Sequence, residues 1–167
     1  MAYKAFLSHS MAPVDLGFVY EVARQALGRN VTCYVAERDY QLGVHLPTKI
    51  EQNIRDSDCM VVFLTQGGHH SNWVNQEVGF AKACEKLIIP IVEAGVIPTG
   101  FLVGLEYLPI NRADPVQAMA ILGDYLERLK AEKDKNELAT AALIAGGVIL
   151  LLLMTGGSGQ DGGSIPA

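Results

Sequence analysis

One carboxylate in this sequence stands where a carboxylate is expensive. From Asn72 to Lys86, apolar residues recur at helical spacing. At about 100° per residue, Trp73, Glu77, Phe80 and Cys84 share one face. That face continues into Val74, Val78 and Ala81, while Asn75, Lys82 and Lys86 lie opposite. Glu77 therefore falls inside the apolar arc, and an unpaired carboxylate buried there is costly. Two readings stand. Glu77 pairs with an arginine or a backbone group, although it lies too deep in the helix for a capping box. Alternatively it faces a cleft and meets a ligand. Trp73, one turn earlier, would line the same cleft and offers a flat face to a ring.

The elements that must position this helix alternate in type. Tyr3–Leu7 is a compact apolar run ending in Ser8-His9-Ser10. Asp15–Leu27 has helical spacing, and Val31–Val35 is β-branched and aromatic. Glu37–Leu46 contains Gly43 and reads as a loop; Pro47–Arg55 reads as a short helix with its proline in the first turn. Cys59–Leu64 (CMVVFL) is continuously apolar, as a central strand covered on both faces should be. Ser71 or Asn72 can cap the helix that carries Glu77. Leu87–Val92 is a further strand, with Pro90 implying a nearby edge or bulge. Glu106–Pro109 is a last short strand, and Asp114-Pro115 opens a final helix to about Lys135. Strand and helix in alternation predict a parallel α/β sheet. Ligands in such sheets bind beyond the carboxyl ends of the strands, so the loops after Leu7, Val35 and Leu64 are where chemistry is expected.

Composition narrows the classes. The 167 residues carry a formal net charge of -5 and no basic run, which argues against a nucleic-acid binder. Cys33, Cys59 and Cys84 are isolated in apolar stretches and read as small core residues in a reducing compartment. His69-His70 lacks metal-pair spacing, so no metal site is expected. The amino terminus lacks the long apolar run of a signal peptide, which places the first domain in the cytoplasm. From Leu138 to Met154 the sequence is almost wholly apolar, preceded by RLKAEKDK and followed by no Lys or Arg. This pattern predicts a single membrane-spanning helix over 136–156 and membrane localisation, with the first domain, 1–135, on the cytoplasmic side. Residues 157–167 are Gly-rich and expected to be a disordered tail.

At this point the sequence resembles a known family. Over about residues 1–130 it is similar to the TIR (Toll/interleukin-1 receptor) domain. YKAFLSHS resembles the family's first box, and AERDYQLGVHLPTKIEQNI its BB loop and following helix. SDCMVVFLT resembles the central strand, and WVNQEVGFA matches the W-x-x-x-E pattern of the branch that cleaves NAD. GFLVGLEYLPI is a looser match to the third box.

The resemblance implies a flavodoxin-like α/β fold and, for enzymatic members, hydrolysis of the nicotinamide–ribose bond of NAD. NAD would be substrate, with no cofactor. The product would be ADP-ribose or a cyclic isomer of it, in a role suited to immune signalling. Glu77 would be the essential acidic residue, with Trp73 packing beside it. Ser8, Ser10, Arg38 and Ser71 would lie on the same side and contact ribose or phosphate. The serines read equally as turn or cap residues, and Arg38 as a partner of Asp39 or Glu37. Other family members only scaffold signalling through TIR–TIR self-association, which remains the alternative. A more distant alternative is a nucleoside deoxyribosyltransferase-like enzyme, which also sets a glutamate against an N-glycosidic bond.

Overall fold

The computed structural model describes residues 2–10, 12–36, 45–68 and 71–155, with backbone alone for Val14 and 141–155. Arg38, Asp39 and Gly43 of the predicted BB loop, His69-His70 and the Gly-rich tail lie outside the described residues.

The elements run β1 (Tyr3–Ser8), α1 (Pro13–Gly28), β2 (Val31–Tyr34), α2 (Leu46–Asp56), β3 (Cys59–Leu64), α3 (Asn72–Ala83), β4 (Leu87–Glu93), β5 (Leu108–Ile110) and α4 (Val116–Thr155). A short 3-10 turn, Gly100–Leu102, interrupts the connection from β4 to β5. The five strands form one sheet in the order β2-β1-β3-β4-β5. All four pairings are parallel. β3 is buried at all six positions, as its unbroken apolar run requires of a strand paired on both sides and covered on both faces.

Side-chain alternation along β1 assigns the two layers. Tyr3, Ala5 and Leu7 join a core with Val19, Val22, Ala23 and Ala26 of α1 and Met119, Leu122 and Leu126 of α4. Phe6 points the other way, into a core with Ile50 and Ile54 of α2 and Val74, Val78 and Ala81 of α3. Ser8 has the parity of Phe6, so it is directed toward the α2–α3 layer. The sheet grows outward in both directions from β1, toward β2 and toward β3. That reversal opens a crevice beyond the carboxyl ends of β1 and β3.

Local chemistry explains the differences from the expected bounds. α3 stops at Ala83 rather than Lys86. Glu85 takes φ 55, and its N–H bonds Lys82 O at 3.0 Å while that of Lys86 bonds Ala81 O at 3.0 Å. This left-handed closure satisfies the last carbonyls. Pro90 lies in an interior strand and pairs with Val62 of β3, but β5 joins β4 only from Ile91 onward. The missing N–H of Pro90 therefore falls where β4 is still an edge. The three cysteines form no disulfide; Cys59 is wholly buried, and that burial pushes its thiol up to about 12.

The expectation of a separate single-pass membrane helix over 136–156, and with it membrane localisation, is corrected. Among the described residues no helix is long and apolar enough to cross a membrane. The final helix, expected to end at about Lys135, does not stop there: α4 begins at Val116, includes the charged stretch as expected, and runs on to Thr155. Good helix formers fill that stretch, with neither Gly nor Pro to stop it. The chain divides into compact units at 1–130 and 131–167. In the second, Lys133 and Glu137 form an i,i+4 ion pair at 3.7 Å and Thr140 bonds back to Asn136 O.

Candidate active site

Glu77 is 6% exposed, on the α3 face that also buries Val74, Val78 and Ala81. Ser8 Oγ donates to Glu77 Oε2 at 2.5 Å, within a fully enclosed β1 terminus. Trp73 and Phe80, one turn either side of Glu77, line a cleft of about 300 Å³ with Pro47, Ile50, Glu51 and Ile54 of α2. The walls are therefore apolar and aromatic, and the charges among these lining residues are the carboxylates Glu51 and Glu77. A cleft of this character favours a flat ring, and stabilises positive charge that develops beside Glu77.

Of the predicted site residues, the structure brings Ser8, Glu77 and Trp73 together. Ser71 caps α3, the other reading its position allowed, its Oγ accepting from Val74 N at 3.4 Å. Ser10 belongs to a second buried cluster. Its Oγ donates to Asp15 Oδ2 at 2.5 Å, and Thr65 Oγ1 donates to the same oxygen at 2.8 Å. Arg112 pairs with Asp15 Oδ1 through Nη2 and with Glu93 Oε1 through Nε at 2.8 Å. Glu93 Oε2 in turn accepts from Gln66 N at 2.8 Å. This network ties together the chain segments after β1, β3, β4 and β5. Burial pushes the Asp15 carboxyl upward, but hydrogen bonds from Ser10, Arg112 and Thr65 outweigh it and hold the group below its ordinary range. His9 is buried with its Nδ1 2.8 Å from Ser10 O.

Asp15, Arg112, Thr65, Glu93 and Glu51 were not singled out from the sequence. Asp15 carried a readable signal: with Val19, Val22 and Ala26 it follows the i, i+4, i+7, i+11 spacing of one helix face, so it too is a carboxylate on a buried stripe. Arg112 follows the last strand in a short loop, and nothing local marks its partner 97 residues away.

Comparison with known proteins places this arrangement. No curated protein matches by sequence. Among solved structures, the chain is similar to the TIR domain of the Toll-related receptor TRR-2 from Hydra magnipapillata (TM-score 0.62, 20% identity, 76% of this chain and 99% of that one). It is also similar to a 2-deoxyribosyltransferase from Bacillus psychrosaccharolyticus (0.55, 11%, 65% and 85%) and to the CMP N-glycosidase BcmB from Clostridium botulinum (0.53, 15%, 77% and 98%). The family profile described as TIR domain matches residues 6–122, spanning β1 to the first part of α4, and the chain therefore belongs to the TIR-domain family.

Proposed function

We propose that this protein is an NAD glycohydrolase, releasing nicotinamide and leaving ADP-ribose or a cyclic isomer, in immune-type signalling. One observation carries the reading: a buried glutamate, hydrogen-bonded by Ser8 at the carboxyl end of β1, set at the wall of an aromatic cleft between α2 and α3. The nicotinamide of NAD is a cationic ring. When its bond to ribose breaks, the bonding pair goes to the ring nitrogen and nicotinamide departs neutral, so no general acid is required. The sugar left behind is oxocarbenium-like. The Glu77 carboxylate stabilises that charge, Ser8 fixes the carboxylate's rotamer, and Trp73 packs against a flat ring. Water then adds at the anomeric carbon and releases its proton. Two relatives of similar fold carry names stating chemistry at the nucleoside N-glycosidic linkage, which fits a glutamate in this role.

The experiment is incubation of the full chain with NAD, with CMP and with deoxynucleosides, followed by chromatography. Nicotinamide release supports the reading. Base release from CMP, or base exchange between deoxynucleosides, would replace it with the corresponding nucleoside chemistry.

A second reading, a scaffold acting through TIR–TIR association, is favoured by a different observation. Ile97, Phe101, Val103 and Tyr107 stand exposed in the connection between β4 and β5. Such apolar exposure suits a protein contact. Concentration-dependent assembly with no turnover of any of these substrates would favour it.

A further inference from the structure

We propose that Asp15, braced by Arg112, is the positioning residue of the cleft: it holds the turn after β1 so that the Ser8 hydroxyl meets Glu77. The mechanism of that hold is explicit. Ser8 is the last residue of β1, and Ser10, two residues on, is tied by its hydroxyl to Asp15 Oδ2. Thr65, the residue after β3, is tied to the same oxygen, so one buried atom joins the two turns flanking the crevice. Asp15 itself is fixed in the first turn of α1, its N–H bonding Ala12 O at 2.9 Å, and is 1% exposed. Arg112 closes the clamp from behind, one guanidinium reaching both Asp15 and Glu93.

Gly68 shows how tightly the turns fit. A Cβ built there would sit 2.5 Å from Ser10 Cβ, 2.8 Å from Ser10 Oγ and 2.9 Å from Thr65 Oγ1. A side chain at position 68 would push the two hydroxyls that Asp15 holds, without altering any charged or hydrogen-bonding side chain. Ser10, Thr65 and Gly68 are not among the residues that line the cleft; the clamp reaches Ser8 through the turn after β1, and Gly68 O also accepts from the N–H of Ser71, the cap of α3.

The proposal rests on the NAD glycohydrolase reading for its kinetic arm, but not for its structural one. Trp73 is the chain's one tryptophan and lines the cleft, so its fluorescence reports cleft geometry whether or not substrate is turned over. Three variants of the full chain are compared: Thr65→Val, which keeps shape and removes the hydroxyl; Thr65→Ser, which restores it; and Gly68→Ala. We expect Thr65→Val and Gly68→Ala to lower kcat about tenfold with KM within about twofold, the scale of a small misplacement of a catalytic group. Both should shift Trp73 emission and its quenching by acrylamide, and Thr65→Ser should restore both readouts. Equal losses in Thr65→Val and Thr65→Ser, or Trp73 quenching unchanged in both Thr65→Val and Gly68→Ala, would overturn the proposal. If the wild-type chain releases no nicotinamide, the glycohydrolase reading fails and Trp73 alone decides whether the clamp positions the cleft.

Discussion

Asp15 and Glu77 are both carboxylates in helices, both almost inaccessible, and both reached by a serine from the same β1 terminus. Their surroundings differ. Asp15 receives two hydroxyls and a guanidinium, lies against the inner end of the sheet's loops, and is held below its usual range. Glu77 receives Ser8 and stands at the wall of a cleft whose other lining is apolar or aromatic apart from Glu51 and Gln76. A carboxylate that joins two turns of the sheet through buried bonds is a structural joint. A carboxylate at the wall of a cleft is placed to meet charge that arrives with a ligand.

The largest expected contrast comes from removing each charge. Glu77→Gln keeps volume and keeps an acceptor for Ser8. Nicotinamide release should fall by at least roughly a hundredfold, the scale of losing a principal electrostatic stabiliser. Thermal stability should hold or rise, because a buried charge has gone. Turnover near that of the wild type would remove Glu77 from the chemistry. Asp15→Ala should behave in the opposite sense on stability, losing about 2 kcal/mol in urea unfolding as hydroxyls and a guanidinium lose their shared acceptor. Arg112 is partly solvated and keeps Glu93, which limits the loss.

Acid sharpens the same contrast. A carboxyl whose folded pKa is depressed stabilises the fold above its unfolded pKa, about 3.9 for Asp, and that contribution disappears as pH falls through the folded value. The Asp15 shift has this sign. Urea midpoints measured from about pH 5 down to about pH 2 should therefore fall less steeply for Asp15→Asn than for the wild type. Parallel curves would show that Asp15 contributes nothing to acid sensitivity.

How far each cluster was legible follows from the range of its contacts. Glu77 announced itself, because helical periodicity alone places it on an apolar face. Its link to Ser8 spans 69 residues and needed the parity of β1 and the order of the strands, neither of which is local. The sheet was readable for the same local reason: β3 matches its apolar run residue for residue. Ser10 and Ser71 stayed between two readings because a hydroxyl in a turn looks the same whether it bonds a carboxylate, caps a helix or waits for substrate. The long helix misled because hydropathy was read separately from helix continuity: an end was drawn at about Lys135, where the charged stretch gives way to the apolar run, yet α4 continues to Thr155.

The smallest expected effect tests the Ser8–Glu77 pair itself. Ser8→Ala removes a hydroxyl that donates to the carboxylate, so the carboxylate keeps its charge but loses what fixes its orientation. Nicotinamide release should fall about tenfold, since a hydrogen bond to a charged group is worth about 1.5–3 kcal/mol and part of it is replaced by water from the cleft. Ser10→Ala, the same change two residues away, cuts the tie from Asp15 to the turn after β1, so it should lower kcat about tenfold and also cost about 1 kcal/mol of stability, with Thr65 still bonded to Asp15. The decisive measurement is a double-mutant cycle. If Ser8 works through Glu77, then once Glu77 is Gln the added loss of Ser8 should cost almost nothing further, leaving a coupling close to the whole Ser8 effect. If the two losses multiply, Ser8 acts on substrate directly, and the short bond between them is a structural contact rather than the device that aims the carboxylate.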